Sequence, residues 1–396
     1  MKNINTVSFK KKKVLIRVDF NLPLNENLEI TDDSRMVAAL PTIKKVVSDG
    51  GIAIILSHLG RPKKNFDETL SLKHVVKNLS ELLDLPVSFS NDCIGEKAAS
   101  DVKKMRFGGV IVLENLRFYK EEISGNIDFA KKLASLGDVY INDAFGAAHR
   151  KHASTSVIAR FFPKNKYFGF LLANEILSLE RVLKNPQRPF TAIIGGAKIS
   201  GKIDVIISLF KKVDVLIIGG GMSYTFIKAL GGDIGNSLVE NDKILLAKKI
   251  ITEAEKKKVE LFLPVDSVNA KSISTEEITS NSDVFSINPK EMGLDIGKKS
   301  IDKFVEEIAK SKTIIWNGPM GVFELDKFEY GTKKIGEAIC LATKKGAFSL
   351  IGGGDSVAAL KKFNLIENVS CVSTGGGAML EYLEGKTLPG IVAIQD

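Results

Sequence analysis

Arginine's planar fork grips phosphate and carboxylate oxygens in pairs and stays charged, so arginines gathered in one place form a site for a compact polyanion. Arg17 or Arg35, with Arg61, Arg117 and Arg150, are placed for this, because they accompany the ends of short Val- and Ile-rich runs. Each alone is equally an arginine in a surface salt bridge; their shared position is what points to an anion. Asp19 and Asn21 in RVDFN follow the first such run, where a turn-forming pair would also fit. His58 after IILS reads as a core histidine or a substrate contact, and its neighbours Gly60 and Arg61 favour substrate. His149 stands beside Arg150.

The second half carries glycine where the first carries cations: Gly195-Gly196, Gly219 to Gly221, Gly352 to Gly354 and Gly375 to Gly377. Taken singly, such clusters are tight turns. The segment from Gly196 through Lys198 and Gly201 to Lys202 nearly matches the phosphate loop G-x-x-x-x-G-K-[ST], but Ile203 stands where a hydroxyl should meet magnesium. Backbone amides with Lys198 and Lys202 nearby suit phosphates, and the metal has to be held from elsewhere. Gly353 and Gly354 followed by Asp355 and Ser356 supply a candidate: close backbone approach, then a carboxylate for Mg2+. No cluster completes G-x-G-x-x-G, since Tyr224 and Val357 take the last glycine's place, which weakens a nicotinamide-binding dehydrogenase reading.

These residues need parallel strands to present them. Ten runs, including VLIRVDFN, GIAIILSHLGR, FTAIIGGAK and TIIWNGP, stop abruptly in glycine or polar loops and read as buried strands. Between them Leu72, Val75, Val76, Leu79, Leu82 and Leu83 repeat at helical spacing. Alternation of the two predicts an α/β chain with parallel sheets, whose ligands bind beyond the carboxyl ends of the strands. Leu172, Ile176, Leu179 and Leu183, closed by Asn185-Pro186 and Pro189, predict a connecting helix at a domain boundary.

Composition narrows the classes. The 396 residues are 44% hydrophobic, enough for two or three folded domains. Cys93, Cys340 and Cys371 are odd in number and lack C-x-x-C spacing, so neither a disulfide framework nor a zinc site is expected. No charge-free apolar run reaches the ~18 residues of a membrane span, and Arg17 and Asp19 break the N-terminal apolar stretch, so the cytoplasm is expected, with no membrane. The net charge of +9 leaves open a basic binding protein, but no RNP-like or zinc-finger pattern supports nucleic acid.

In combination the motifs resemble one family, phosphoglycerate kinase. RVDFNLP, Arg35 before LPTI, SHLGRP, ENLRF, DAFGAAHR, GGAKISGK, GGGM, WNGPMGVFE, GGGDS and STGGGAMLEYLEGKTLPG stand in that family's order across essentially the whole chain. The resemblance implies reversible phosphoryl transfer between 1,3-bisphosphoglycerate and MgADP, giving 3-phosphoglycerate and MgATP in glycolysis and gluconeogenesis. It implies two Rossmann-like parallel-sheet domains joined by a connecting helix and a hinge, in a monomer. Residues 1–170, completed by 388–396, would form the 3-phosphoglycerate domain, 171–186 the connecting helix, and 187–387 the nucleotide domain. Substrate would meet Asp19, Asn21, Arg35, His58, Arg61, Arg117 and Arg150. Nucleotide would meet Lys202, Gly293, Asn317, Glu324, Gly353, Gly354, Asp355 and Ser356, with Asp355 on Mg2+. Arg35 and Lys198 would stabilise the phosphoryl group in flight. Two departures from the family pattern stand out: Ser356 in place of a common threonine, and Ser267 after PVD where an aromatic is common.

Overall fold

The computed structural model describes residues 2–63, 66–274 and 277–396. The chain divides into two compact units, Met1–Leu177 with Thr387–Asp396, and Ser178–Lys386.

The first unit holds strands β1 (Lys13–Arg17), β2 (Ile52–Leu56), β3 (Val87–Ser90), β4 (Val110–Leu113), β5 (Val139–Asn142) and β6 (Lys166–Phe168). They form one sheet in the order β3-β4-β2-β1-β5-β6, every pair parallel. Ile16 of β1 sits between Ile55 of β2 and Ile141 of β5. Residues of β2, β4 and β5 are buried throughout, so both faces of the sheet are sealed and an unbroken Val/Ile run is what such strands require. Helix Lys73–Leu83 buries Val75, Leu79 and Leu83, three residues of the expected stripe; Val76 and Leu82 pack at its margin. Helix Ser34–Ser48 buries Met36, Ala39, Leu40, Ile43 and Val46, which places Arg35 in its first turn, beyond the carboxyl end of β1. The last segment belongs here too. Helix Pro389–Gln395 buries Ile391 and Ile394, Gly390 N donates to Ala148 O at 2.8 Å, and Lys166 Nζ donates to Ala393 O at 2.8 Å.

The helix predicted at 171–186 runs Phe170–Lys184. It stops before Asn185 because a residue preceding proline is pushed out of the α region.

The second unit contributes β7 (Phe190–Ile194), β8 (Val215–Ile218), β9 (Asp233–Ile234), β10 (Glu260–Phe262), β11 (Asp266–Ala270), β12 (Ser280–Asp283), β13 (Ser286–Ile287) and β14 (Met292–Ile296). It is completed by β15 (Thr313–Asn317), β16 (Phe348–Ile351) and β17 (Cys371–Val372). A second six-stranded parallel sheet runs β10-β8-β7-β15-β16-β17. Beside it lie an antiparallel sheet, β12-β11-β14, and the parallel pair β13-β9. Trp316 is fully buried in the core on β15, and its indole N–H donates to Gly318 O at 2.8 Å.

Both main sheets reverse direction of winding in the same way. From β1 the chain steps to β2 on one side and later returns to place β5 on the other; from β7 it steps to β8 and returns to place β15. Such a switch leaves a crevice at the carboxyl ends of the two strands that flank it. The fold therefore prescribes where chemistry should be sought: beyond β1 and β5, and beyond β7 and β15.

Ile16 has no exposed surface and Leu245 is 80% exposed. Ile16→Ala is expected to cost about 2–5 kcal/mol in urea unfolding followed by circular dichroism, whereas Leu245→Ala should stay within about 0.5 kcal/mol of wild type.

Candidate functional site

Beyond β1 the chain enters Val18 to Asn21, and this loop is tied to the end of β2. Phe20 N donates to Ser57 Oγ at 2.8 Å, and Gly60 N donates to Asn21 Oδ1 at 2.8 Å. Arg35 Nη1 reaches Asn21 O at 2.9 Å and Asp19 Oδ2 at 3.5 Å. Arg117, carried just past β4, is positioned by its own turn: its N–H donates to Asn115 Oδ1, and Nη1 donates to Gly60 O at 2.5 Å. Asn115 in turn holds Leu59 O at 2.7 Å and Leu70 O at 2.9 Å, fixing the loop that displays Arg61. Arg61 is exposed, and Arg150, also exposed, places Nε 3.0 Å from His149 Nε2. A cavity of about 320 Å³ opens beside Asn21 and Arg35.

Arg17 lies beneath this group. Only 1% exposed, it donates from Nε to Ser154 Oγ at 2.9 Å and from Nη1 to Val18 O, and Nη2 stands 3.2 Å from His58 Nδ1. Ser154 is held by Glu122, which accepts from the serine hydroxyl at 2.6 Å and from its N–H at 2.9 Å. A guanidinium has only donors, so His58 Nδ1 must be the acceptor and the imidazole proton resides on Nε2. Burial first, then the charges of Arg17, Arg117, His152 and Arg35, hold His58 well below the usual imidazole range, so the ring is neutral. Asp19 Oδ1, at 3.9 Å, is too distant to retain a proton there. The same field acts on the other members: burial, then Arg17 and Arg150, pull Arg117 down to about 10, and burial with Arg17 and Arg117 pulls His152 down to about 4. The cluster is an excess of positive charge held in place by the fold, the electrostatic form of a polyanion receptor.

In the second unit the ends of β7 and β15 are laced together through glycine. Gly195 N donates to Asn317 O at 3.0 Å, Gly196 N to Pro319 O at 2.8 Å and Gly220 N to Met320 O at 3.1 Å. A Cβ on Gly195 would run into Pro319 O, which explains why the backbone there carries no side chain. Lys202 closes the junction: Nζ donates to Gly195 O at 2.6 Å and Asn317 O at 2.9 Å. Burial lowers its pKa to about 8 while the Asp355 carboxylate opposes the shift, so the ammonium remains charged at neutral pH with a third proton to give. Lys198 is exposed in the loop between, which Glu240 anchors by accepting from Ile199 N at 2.6 Å and Ser200 N at 3.2 Å.

Across the junction, Gly353 adopts φ +95° immediately before helix Gly354–Lys362, and a Cβ there would meet Asn317 Nδ2 at 2.8 Å. Only glycine suits that backbone. Asn317 Nδ2 donates to Gly352 O at 2.9 Å, and Ser356 Oγ, fully buried, accepts from Gly318 N at 2.6 Å. The hydroxyl of Ser356 is thus committed to the loop after β15, while Asp355 beside it stays exposed. An apolar cavity of about 370 Å³ adjoins, with Gly196, Tyr224, Leu238, Gly293, Glu324 and Asp355 in its wall.

A family model described as phosphoglycerate kinase matches residues 4–386. The chain belongs to the phosphoglycerate kinase family. It is 51% identical over 416 residues to the phosphoglycerate kinase of Porphyromonas gingivalis, covering 99% of each chain, and 51% identical over 395 residues to that of Chlorobaculum tepidum. Among solved structures, phosphoglycerate kinase from Coxiella burnetii superposes with a TM-score of 0.89 at 40% identity, covering 99% of this chain and 98% of that one. The Pyrococcus horikoshii phosphoglycerate kinase gives 0.87 at 33%, covering 100% of this chain and 98% of that one.

Within this member of the phosphoglycerate kinase family, the residues singled out from sequence fall into two groups. Asp19, Asn21, Arg35, His58, Arg61 and Arg117 stand at the carboxyl ends of β1, β2 and β4, with Arg150 past β5. Asn317 ends β15, Lys198, Lys202, Glu324 and Gly353 to Ser356 stand past β7, β15 and β16, and Gly293 lies within β14. Sequence reading left Arg17 as an alternative to Arg35, but the structure gives them separate places, one inside and one at the rim. Glu122, Ser154, Tyr224 and Leu238 were not found; for Arg17 the signal was a lone cation inside an apolar run.

His58 and His152 bind protons less readily when folded than when unfolded, where imidazole titrates near the ordinary 6.5. Stability should therefore be complete above about 6.5 and fall as the pH drops toward 4. Urea midpoints measured across that window should show the loss, and His152→Asn should flatten it.

Proposed function

We propose that the protein moves a phosphoryl group reversibly between 1,3-bisphosphoglycerate and MgADP, giving 3-phosphoglycerate and MgATP, a phosphotransfer to a carboxyl group that serves glycolysis and gluconeogenesis. The observation that carries the reading is membership of the phosphoglycerate kinase family over residues 4–386, with a cationic cluster and a glycine-lined cavity at the two switch points.

In this reading Asp19, Asn21, Arg35, His58, Arg61, Arg117 and Arg150 bind the phosphoglycerate. The arginines answer its charge, and neutral His58 donates from Nε2 without adding to the repulsion. The acceptor carboxylate is ionised near neutrality, so no general base is required. Its oxygen attacks the γ-phosphorus of ATP as the bond to the β-phosphate oxygen breaks, and the electron pair leaves with ADP. Negative charge in that loose transition state spreads over the equatorial oxygens, where a preorganised cation is most effective. Arg35 and Lys198 are the residues for this role.

Lys202, Gly293, Asn317, Glu324, Gly353, Gly354, Asp355 and Ser356 serve the nucleotide. Gly293 leaves the cavity wall flat, Lys202 has a proton to give to a phosphate oxygen, and Asn317 and Ser356 act through the loops they hold. Among the described residues no group of three or more His, Cys, Asp or Glu could cage a metal ion. The exposed Asp355 carboxylate in the cavity wall fits Mg2+, which keeps its waters and takes one or two carboxylates along with substrate phosphates. When bound there, Mg2+ neutralises phosphate charge. Among the described residues no helix is long and apolar enough to cross a membrane; a cytoplasmic monomer completes the proposal.

A coupled assay with 3-phosphoglycerate and MgATP, reading loss of reduced nicotinamide as a dehydrogenase consumes the 1,3-bisphosphoglycerate, tests the reaction. Turnover must vanish without 3-phosphoglycerate or with the metal chelated. Arg35→Ala and Lys198→Ala should each lower kcat by roughly 10²–10³-fold with much smaller changes in KM; near-normal kcat in either would remove that residue from the role. Asp355→Ala should chiefly raise the requirement for magnesium nucleotide.

A further inference from the structure

Residues 318–324 follow β15 in neither strand nor helix, and Pro319 to Val322 with Glu324 form one side of the cavity. No ladder of strand or helix bonds sets the course of such a segment, so the groups that hold its backbone decide where the wall stands. Its carbonyls go to the glycine junction: Pro319 O accepts from Gly196 N and Met320 O from Gly220 N. Two of its N–H groups go to a single hydroxyl. Met320 N donates to Thr332 Oγ1 at 3.0 Å, and Gly321 N donates to the same oxygen at 3.2 Å. A hydroxyl oxygen has two lone pairs, and Thr332 spends both on successive amides, which fixes the peptide planes on either side of Met320. Thr332 has no exposed surface, belongs to the first turn of helix Tyr330–Lys344, and is not part of the cavity lining.

The start of that helix is held in turn by Asp295 of β14, the strand that carries Gly293 into the opposite wall. Asp295 is 2% exposed; its Oδ2 accepts from Gly331 N at 2.6 Å and its Oδ1 from Ile296 N at 2.9 Å. A Cβ on either Gly321 or Gly331 would run into Asp295 Oδ1, so loop and helix both pack directly on this carboxyl. Val322 N donates to Leu294 O at 2.9 Å and ties the segment to the same strand. Apolar side chains would fill the same space, whereas paired donors and acceptors admit one arrangement of the three elements.

We infer that Thr332 and Asp295 are positioning residues for the nucleotide, clasping the loop 318–324 to β14 and so setting the two walls of the cavity at a fixed separation. The inference rests on the reading of this cavity as the nucleotide site. Both side chains act from behind the lining, through the backbone they hold.

The test uses the intact protein, with MgADP titrated by calorimetry, kcat and both KM values from the coupled assay, and thermal melting alongside. Thr332→Val keeps the shape of the side chain and leaves the Met320 and Gly321 amides without an acceptor; MgADP affinity should fall about tenfold. KM for MgATP should rise with it, while KM for 3-phosphoglycerate and kcat at saturating nucleotide stay within about twofold of wild type. Gly331→Ala, which pushes the helix start off Asp295 without altering a lining residue, should show the same split. Thr332→Ser, which keeps the hydroxyl, should hold MgADP affinity within about threefold of wild type. Ile250→Ala, buried on helix Ile244–Lys256 and outside the lining, controls for lost stability: it should melt lower and still bind MgADP within about twofold. Unchanged MgADP affinity in Thr332→Val, equal changes in both KM values, or a matching loss of affinity in Ile250→Ala would overturn the inference. Wild-type protein that binds no MgADP would overturn the nucleotide reading of the cavity, and the inference with it.

Discussion

A guanidinium sealed inside a protein is tolerable only when its N–H groups find acceptors and its charge finds an opposite. Arg17 satisfies both conditions through Val18 O, Ser154 Oγ and the Glu122 carboxylate behind that serine. Once it is set, much of the first unit's site follows. His58 loses its choice of tautomer, the loop after β1 is drawn toward the end of β2, and the rim arginines gather over a positive floor. Glu122 carries the cost: burial raises its pKa, and Arg17 together with the Ser154 donors brings it back toward the anion. The cluster is thereby arranged before any ligand arrives, which is the condition for electrostatic stabilisation in a transition state.

The second unit solves the opposite problem, how to bring the ends of its strands together without filling the space with side chains. Glycine removes the Cβ atoms, and Lys202 then fastens the bared carbonyls of Gly195 and Asn317. The ammonium thus has a structural duty, to which the proposed function adds a ligand-facing one. Its depressed pKa reflects the structural duty, since burial between the strand ends is what lowers it.

Much of this was legible beforehand. The ten Val/Ile runs all carry strands of the two parallel sheets, because burial on both faces demands an apolar residue at every position. The edge strands β3 and β6 and the antiparallel sheet were not seen: VSFS and KYF are short and partly exposed, and SNSD in β12 is polar throughout. Arg17 could not be separated from Arg35, since spacing does not say which side chain turns inward. Ser267, Ser280 and Glu291 are apart in sequence, and only the pairing of β11 with β12 and β14 brings them into one hydrogen-bonded network through Asn269. Loop cations and glycines declare themselves by type, whereas a hydrogen-bonded network is written in partners.

The return of Thr387–Asp396 to the first unit has a consequence for synthesis. Asn142 Nδ2 donates to Gly390 O at 3.1 Å at the end of β5, so the last ten residues cover the sheet on which the first unit is built. A ribosome adding roughly 5–20 residues per second must make the whole of Ser178–Lys386 before it delivers that piece. For roughly ten to forty seconds the nascent first unit stands with its wall incomplete, while the second unit, continuous in sequence, can close as soon as it emerges. Order of completion is therefore the reverse of order of translation.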